Sequence, residues 1–464
     1  QVYKPVTNWE TTNRVIHRLC IENRGRFVEK PKQTSLNRKI LALALPALGS
    51  LIAEPLLTMA DSILVGHVGT PDLAGLAIGS TVLTLVVGIC VFLAYITTAV
   101  TGRDIGAGKR AEGLRLGIQG MWLGALVGAA LAVVLIVFAP QIIGFFEAEP
   151  QVAGLARRYL TVSAPGLIAM LSVLAANGVL RGLLDTRTPL LVTTSAAILN
   201  VPVSAFLIFG CSFGVAGAGA GTAICQFFMA MWLWIVVIKK LRAEGVSARP
   251  DLKLIFRSGL HGLPLVLRSL FLQATIVVTT WQAARLGAVT LAGYQILKTL
   301  WTLAAFGLDA LAIAAQALLA NALGEGDKRK IRVLIAQLNR WALVSGTLIG
   351  LVFAATSSFS PHLFTSDPQV IAVSVPAIIV VGLMQPVAAL TYIYDGYLIG
   401  ADDTKYLAKA MAIVFIAYLP AILLAGLLPA GAIALAGLWA IYGVVFIGGR
   451  ALSLWLRIRT DAWL

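Results

Sequence analysis

The chain contains a long internal repeat, and this feature constrains its fold more than any other. Residues 46–200 resemble residues 264–418 at a constant separation of 218 positions, the difference between 264 and 46. Gly106 recurs as Gly324 at that separation, and the two copies stay in register without a gap. A repeat of this length predicts two equivalent halves, each derived from one ancestral unit.

Composition places both copies in a lipid bilayer. Hydrophobic residues make up 59% of the chain, charged residues only 12%, and the mean hydropathy is +0.88, which excludes a soluble globular protein. Apolar runs of roughly 20 residues, long enough to cross the hydrocarbon core as helices, recur about twelve times. They lie near residues 41–64, 73–98, 115–138, 154–176, 189–209, 213–238, 259–283, 289–317, 335–357, 370–394, 405–427 and 430–454. We predict an all-α polytopic membrane protein whose 12 transmembrane helices form two six-helix bundles, related by a pseudo-two-fold axis along the membrane normal.

Basic residues indicate which loops face the cytoplasm. The net charge is +15, but the positive charges gather in alternate loops, so they do not predict a nucleic-acid-binding surface. They occur in the N-terminal segment, at 103–115, 181–187, 239–257 and 328–332, and at Arg450, Arg457 and Arg459. The intervening loops near 65–72, 139–153, 209–214 and 358–369 contain none, and only Arg157, Arg158 and Arg285 break the pattern. The positive-inside rule therefore predicts that both termini are cytoplasmic.

These patterns also predict domain boundaries. Residues 1–35 are a polar and basic N-terminal extension, either a native cytoplasmic arm or an added or trimmed leader. Residues 36–238 form an N-lobe, residues 239–258 a charged cytoplasmic linker, and residues 259–464 a C-lobe.

The remaining local motifs indicate packing rather than catalysis. The four cysteines and four histidines show no metal-ligand spacing, so we predict no metal site and no enzyme. Gly124/Gly128 and Gly346/Gly350 share a four-residue spacing, which predicts close approach of neighbouring helices.

Two carboxylates in the first apolar run are candidates for a functional site, because ionisable groups inside a membrane are costly and are rarely kept without a use. Glu54 and Asp61 are seven residues apart, or two helical turns and roughly 10 Å, so they share one face. Pro55 between them and Pro46 upstream can bend the helix, which predicts a hinge beside a titratable acid. The alternative is that hydrogen bonds inside the bundle satisfy both acids.

A second polar face is predicted in the C-lobe. Lys298 and Asp309 are eleven residues apart and fall on one helical face, with Gln295 and Gln316 in phase. We expect this face to line a substrate cavity.

Two further charges have more than one possible assignment. Arg268, in the seventh apolar run, either lines the same cavity or forms a structural ion pair with Asp309 or Glu54. Asp395 lies near the cytoplasmic end of the tenth run, and the repeat makes Asn177 its counterpart. A gating or capping contact and a direct role in transport are both open for this pair.

Together these residues resemble the multidrug and toxic compound extrusion (MATE) transporters, and within that family the DinF-like branch. The resemblance covers residues 36–455. It is carried by Leu43-Ala44-Leu45-Pro46, Met59-Ala60-Asp61-Ser62, Leu180-Arg181-Gly182, Asp185-Thr186-Arg187-Thr188-Pro189, Leu308-Asp309-Ala310-Leu311-Ala312 and Asp395-Gly396. Each motif is weak by itself, but the set is specific.

The resemblance implies a V-shaped pair of six-helix lobes that open alternately to each side of the membrane. It implies a monomeric antiporter of the bacterial cytoplasmic membrane, which exports organic cations or amphiphiles in exchange for H⁺ or Na⁺ without another cofactor. Asp61 matches the family's first-helix aspartate, whose protonation is associated with bending at a proline such as Pro46. Asn200 matches the asparagine of an Asn-x-x-x-Asp motif, but Ser204 replaces its aspartate. We therefore expect an Asp61–Asn200–Ser204 coupling site, with Glu54 as the other available acid.

Two related transport functions stay open. A flippase for lipid-linked precursors would need an arginine-rich cavity, and the apolar runs supply chiefly Arg268 and Lys298. The same two charges could neutralise the nearby acids and admit anionic metabolites, as a dedicated metabolite exporter would require. A channel would not need a duplicated pair of lobes.

Overall fold

The computed structural model describes residues 33–460 except residue 430, together with residue 463; the side chains of residues 33–35 and of Glu54 lie outside this description. The predicted extension over residues 1–35 therefore falls almost wholly outside it. Every regular element in the described part of the chain is a helix. Residues 40–464 form one compact unit.

Twelve helical spans follow one another along the described chain. Eleven are single helices long and apolar enough to cross a membrane, and the twelfth is a pair of helices bent by 53° at a short break. In chain order the spans are α1 (Gln33–Gly66), α2 (Thr70–Gly106), α3 (Arg110–Val137), α4 (Pro150–Ser163 with Gly166–Gly182), α5 (Arg187–Gly210), α6 (Val215–Ala243), α7 (Leu252–Arg285), α8 (Ala288–Glu325), α9 (Lys328–Thr356), α10 (Pro368–Gly400), α11 (Thr404–Leu427) and α12 (Ala432–Arg459). The predicted number of spans and the all-helical fold are confirmed.

The boundaries of the helices follow the sequence repeat. α2 begins at Thr70 and α8 at Ala288, and α4 begins at Pro150 and α10 at Pro368; both differences are 218. These equivalent helices therefore begin in register in the two halves, as a duplicated six-helix unit requires.

Closely spaced glycines let equivalent helices approach within each half. A Cβ atom on Gly124 or Gly128 would lie 2.5 Å from a backbone carbonyl oxygen of α4, and one on Gly346 or Gly350 would lie 2.6 or 2.4 Å from a carbonyl oxygen of α10. No side chain fits at these distances, so the close packing predicted from the four-residue spacing is confirmed.

The two halves contact each other at the ends of α2 and α8. A Cβ atom on Gly106 would lie 2.0 Å from the carbonyl oxygen of Asn321, and one on Gly324 would lie 2.0 Å from the carbonyl oxygen of Arg103. Asn321 also donates a hydrogen bond from Nδ2 to the carbonyl oxygen of Gly182, at 3.0 Å. The repeat thus places two equivalent glycines against each other's helices, where the halves meet backbone to backbone.

The connection between the halves is shorter than residues 239–258. α6 continues to Ala243 and α7 begins at Leu252. The side chain of Asp251 caps α7 by accepting hydrogen bonds from the backbone N–H groups of Lys253 and Leu254, at 3.1 and 3.3 Å. The charged segment predicted as a linker therefore includes the last turn of one helix and the first turns of the next.

Candidate functional site

Asp61 lies buried in the first half, near the end of α1. Its side chain is only 3% exposed. Thr222, on α6, donates a hydrogen bond from Oγ1 to Asp61 Oδ2 at 2.6 Å. The other carboxylate oxygen, Oδ1, is buried without a hydrogen-bond partner in the described structure. A carboxylate held in this way keeps one oxygen available for a proton or a small cation.

Asn200 and Ser204 lie beside this carboxylate on α5. They are one helical turn apart and so share a face, and both are fully buried. The Ser204 hydroxyl lies close to Asp61, and Cys225 lies beside Asn200 and within electrostatic range of Asp61. The structure therefore brings together the three residues of the predicted coupling site, although their role in coupling stays a prediction.

The cluster contains several polar atoms with no hydrogen-bond partner among the described residues: Asp61 Oδ1, both side-chain polar atoms of Asn200, and Ser204 Oγ. Leaving a buried polar group unpaired costs about 1–3 kcal/mol, and in native proteins such groups normally have a partner in the protein, a water molecule or an ion.

Thr222 was not identified from the sequence. It follows the run Gly217-Ala218-Gly219-Ala220-Gly221, whose small residues indicate close helix packing. That interpretation is confirmed, since a Cβ atom on Gly221 would lie 2.3 Å from Ser204 Oγ. The same close approach places the next residue, Thr222, against Asp61, so the glycine run was the available signal.

The prolines of α1 lie within one continuous helix, Gln33–Gly66. Pro46 is partly buried and Pro55 is exposed. The Ser50 hydroxyl donates to the Pro46 carbonyl oxygen at 3.2 Å. The side chain of Glu54 lies outside the described residues. A hinge at either proline stays a prediction.

The second half contains a buried ion triad instead of an isolated acid. Arg268 donates from Nη2 to Asp395 Oδ2 at 2.8 Å, and Arg450 donates to the same oxygen. Each of the three side chains is less than 10% exposed. Arg268 therefore pairs with Asp395 and not with Asp309, one of the two partners considered from the sequence; the side chain of the other, Glu54, lies outside the described residues. Arg450, which the sequence suggested was part of a cytoplasmic charge cluster, is buried inside α12.

The predicted cavity face on α8 divides into two parts. Gln295 is exposed, and Lys298 and Asp309 are partly exposed. Gln316 is only 2% exposed and donates from Nε2 to the carbonyl oxygen of Tyr95 on α2, at 2.9 Å. Gln316 thus joins the two halves at their contact, whereas the other three residues lie where a solute could reach them.

Asp309 is surrounded by charges from both halves. It forms no ion pair within the described residues, but Arg268 and Arg450 of the second half and Arg181 of the first lie within electrostatic range, as does Asp395. Three arginines and two aspartates give this region one excess positive charge. The arrangement could therefore accept a solute that carries either charge sign in part of its structure.

Aromatic rings gather in the second half. Trp301, on α8, has its ring centroid 5.8 Å from that of Trp439 and 5.5 Å from that of Tyr442. Tyr294 lies 5.7 Å from Trp439. Tyr392 lies within electrostatic range of both Tyr442, which belongs to this cluster, and Asp309. Flat organic molecules and cations can stack on such rings.

The two halves differ in charge at equivalent positions. The repeat places Thr279 at the counterpart of Asp61 and Tyr418 at the counterpart of Asn200, and these two hydroxyl groups are hydrogen-bonded at 2.7 Å. Conversely, the counterpart of Asp395 is the neutral Asn177, whose Oδ1 is buried without a hydrogen-bond partner among the residues that the structure describes. Each half therefore contains a buried carboxylate, Asp61 or Asp395, at a position where the other half has a neutral side chain.

Within the described residues, no group of three or more His, Cys, Asp and Glu side chains is placed to hold a metal ion.

Comparisons with known proteins agree with this architecture. The MatE family model matches residues 46–206 and 264–446, one match in each repeat. The chain is 29% identical over 447 residues to Protein DETOXIFICATION 44, chloroplastic, of Arabidopsis thaliana, with 92% of this chain and 82% of that protein covered. It is 29% identical over 392 residues to DNA damage-inducible protein F of Escherichia coli strain K12, with 82% and 84% covered. The fold is similar to that of a mutant of the Vibrio cholerae MATE transporter VcmN, with a TM-score of 0.83, 20% sequence identity and coverage of 93% and 99%.

Proposed function

Because the chain belongs to the MatE family of transporters, we propose that it is an antiporter that exports a small organic molecule in exchange for H⁺ bound at Asp61. The members of this family are transporters and not enzymes, and the chain is a multi-pass membrane protein.

The observation that carries this proposal is the isolation of Asp61. It is buried, has no basic partner within the described structure, and keeps one carboxylate oxygen unpaired. Asp395, by contrast, is neutralised by two arginines. An isolated buried carboxylate can change its protonation state without breaking an ion pair, whereas removing one partner of an ion pair is strongly unfavourable.

The coupling cycle requires the Asp61 cluster to alternate between a protonated and an unprotonated state. Protonation of Asp61 would remove its charge and change what Thr222, Asn200 and Ser204 can donate to it. We propose that this change alters the bend of α1 near Pro46 or Pro55 and so shifts the balance between the two transport states. Na⁺ is the alternative coupling ion, because carboxylate, amide and hydroxyl oxygens can also hold a small cation.

We propose that the cargo is an organic cation or amphiphile that binds against α8. The rings of Trp301 and Tyr442, which are partly exposed and pack against each other, offer stacking surfaces, and Asp309 offers a carboxylate on the same helix as Trp301. A ring cluster beside one unpaired acid favours a flat or amphiphilic cation. Gln295 and Lys298 are further accessible polar groups on the same helix.

One observation favours a second candidate. Arg181, Arg268 and Arg450 outnumber the two aspartates around the meeting point of the halves, and an excess of positive charge favours an anionic molecule. A dedicated exporter of an anionic metabolite, or a flippase for a lipid-linked precursor, would use this charge.

We further propose that the protein acts as a monomer in a bacterial inner membrane. Both termini lie in the cytoplasm in this proposal, as the loop charges predict.

The test is transport by the purified protein in liposomes with an imposed pH or Na⁺ gradient. Cationic and anionic dyes of similar size would be supplied in parallel. We expect a pH gradient to drive cationic dye transport and Asp61→Asn to abolish that drive. Asp327→Asn is the matched control, because Asp327 is an exposed helix cap and asparagine caps equally well. An unchanged pH-driven rate in Asp61→Asn would overturn the proposal, and drive by Na⁺ alone would replace H⁺ by Na⁺ as the coupling ion.

A further inference from the structure

The segment between the two halves is held against α3 by hydrogen bonds to its backbone. Gln119, only 2% exposed, donates from Nε2 to the carbonyl oxygen of Arg249 at 3.0 Å and accepts at Oε1 from the backbone N–H of Asp251 at 2.8 Å. Trp122 donates from Nε1 to the carbonyl oxygen of Ala248 at 3.0 Å. The segment therefore has a fixed conformation, because a buried amide and an indole bind its main chain at three points.

This fixed segment forms one wall of a basic cavity of about 490 Å³. Arg115 from α3, Arg249 from the segment and Lys253 from the first turn of α7 line it, together with Asp251. Three basic residues and one acidic residue leave the lining with two excess positive charges. Arg115 lies 3.8 Å from Asp251, which already uses its other carboxylate oxygen to cap α7. The cavity is therefore suited to a compact anion such as a phosphate group.

An exposed apolar stripe on α7 begins beside this cavity. Leu252, Phe256, Leu260 and Leu263 are 73%, 69%, 58% and 62% exposed. Their spacing of four, four and three residues places them on one face of the helix. In a membrane-spanning helix such a face contacts acyl chains. A basic cavity at the end of a lipid-facing stripe is complementary to an anionic phospholipid, whose negative headgroup is attached to apolar acyl chains.

We propose that this cavity binds the phosphate headgroup of an anionic phospholipid, whose acyl chains lie along Leu252, Phe256 and Leu260. The cavity belongs to the loop set that the positive-inside rule places in the cytoplasm, so the lipid comes from the inner leaflet. The stripe distinguishes this occupant from a soluble anion, which would use the basic residues alone. The site is separate from the Asp61 cluster and does not depend on which molecule is transported.

A bound lipid would connect the two halves. It would contact Arg115 on α3 of the first half and Lys253 on α7 of the second, across the segment that Gln119 and Trp122 hold. α7 also carries Arg268 of the buried ion triad. The lipid is therefore expected to raise the thermal stability of the whole protein rather than of one helix.

The experiment compares lipid binding by the full chain in detergent, measured by native mass spectrometry and by the shift in melting temperature. Phosphatidylglycerol and phosphatidylcholine with identical acyl chains are the two probes. We expect the wild type to prefer phosphatidylglycerol about 25-fold, since each of the two excess positive charges near an anionic headgroup contributes about a fivefold gain in binding. Arg249→Gln with Lys253→Gln should remove most of that preference. Both side chains are exposed, so the lipid-free melting temperature should not change.

The matched control is Lys328→Gln with Arg329→Gln, which removes two exposed charges at the start of α9. This control should keep the lipid preference. Equal loss in the control would show a general effect of surface charge and would overturn the proposal, as would an undiminished preference in the cavity variant. Soluble glycerol 3-phosphate is the third probe. If it displaced phosphatidylglycerol at similar concentration, the cavity would be a free-anion site and the lipid assignment would be wrong.

Discussion

Replacing a glycine at the contact between the halves should drive the protein away from the arrangement described above. In Gly106→Ala the new Cβ would lie 2.0 Å from the carbonyl oxygen of Asn321, and in Gly324→Ala it would lie 2.0 Å from that of Arg103. Non-bonded carbon and oxygen atoms normally stay about 3.4 Å apart, so each substitution demands a displacement of more than about 1 Å. The opposing atoms belong to the main chain, and no side-chain rotation can relieve the overlap.

The size of the effect follows from that overlap. Overpacking a tightly packed contact costs typically about 1–3 kcal/mol. Only the state in which α2 and α8 touch is penalised, so the balance between that state and one with separated ends should shift about 5- to 150-fold. The effect of Gly106→Ala and that of Gly324→Ala should be similar, because the repeat gives the two glycines equivalent surroundings.

The assay is labelling of a single cysteine placed at Ala320, which is fully buried and lies against Gly102 on α2. An impermeant maleimide should react slowly with this cysteine in the parent protein and much faster after Gly106→Ala. Gly154→Ala is the matched control, because a Cβ atom on that helical glycine has no neighbour within 4 Å. An unchanged labelling rate in Gly106→Ala, in protein that still folds, would refute the reasoning. So would an equal increase in the control.

Two further predictions test the ion triad and the repeat. Asp395→Asn should lower the free energy of unfolding by about 3–5 kcal/mol, because it leaves Arg268 and Arg450 as two uncompensated buried charges. Adding Arg268→Gln should restore part of the loss. Purely additive effects in a double-mutant cycle measured by thermal shift would contradict this pairing. Single cysteines at Lys109 and Lys328, which lie at the equivalent starts of α3 and α9, should react with impermeant reagents from the same side of the membrane, whereas labelling from opposite sides would exclude a parallel duplication.

Much of the fold was predictable because its signals are periodic and local. Apolar runs of membrane-spanning length mark the helices, and a repeat of constant separation relates Thr70 to Ala288 and Pro150 to Pro368. Even the close helix contacts at Gly124 and Gly128 follow from a four-residue spacing, since only glycine permits such an approach.

The partners of buried charges were much harder to predict. Helical periodicity indicates which face of α7 carries Arg268 but not which of the other helices lies opposite it. Its partner Asp395 is 127 residues away, and the second arginine, Arg450, was mistaken for a loop charge because it lies near the end of the last apolar run. Contacts between helices depend on how the bundle is assembled, and this information is not present in the pattern of any single helix.

The candidate coupling site contains residues that the sequence predicted and one that it did not. Asp61 and Asn200 were identified by their resemblance to family motifs, and Ser204 because it occupies the aspartate position of the motif that contains Asn200. Thr222 was missed because a threonine at the start of an apolar helix ordinarily bonds its own backbone or caps the helix. Only the close approach of α6 to α5 at Gly221 places its hydroxyl group against the carboxylate.

Proton flux driven by a substrate gradient tests the central claim most directly. Liposomes containing the purified protein and an internal pH indicator would receive a transported dye on one side, with no pH or Na⁺ gradient imposed. The wild type should move protons in the direction opposite to the dye. Asp61→Asn should still exchange dye for dye but move no protons, because the titratable group of the coupling site is absent. Proton movement of wild-type size in Asp61→Asn would contradict the assignment of Asp61 as the coupling acid.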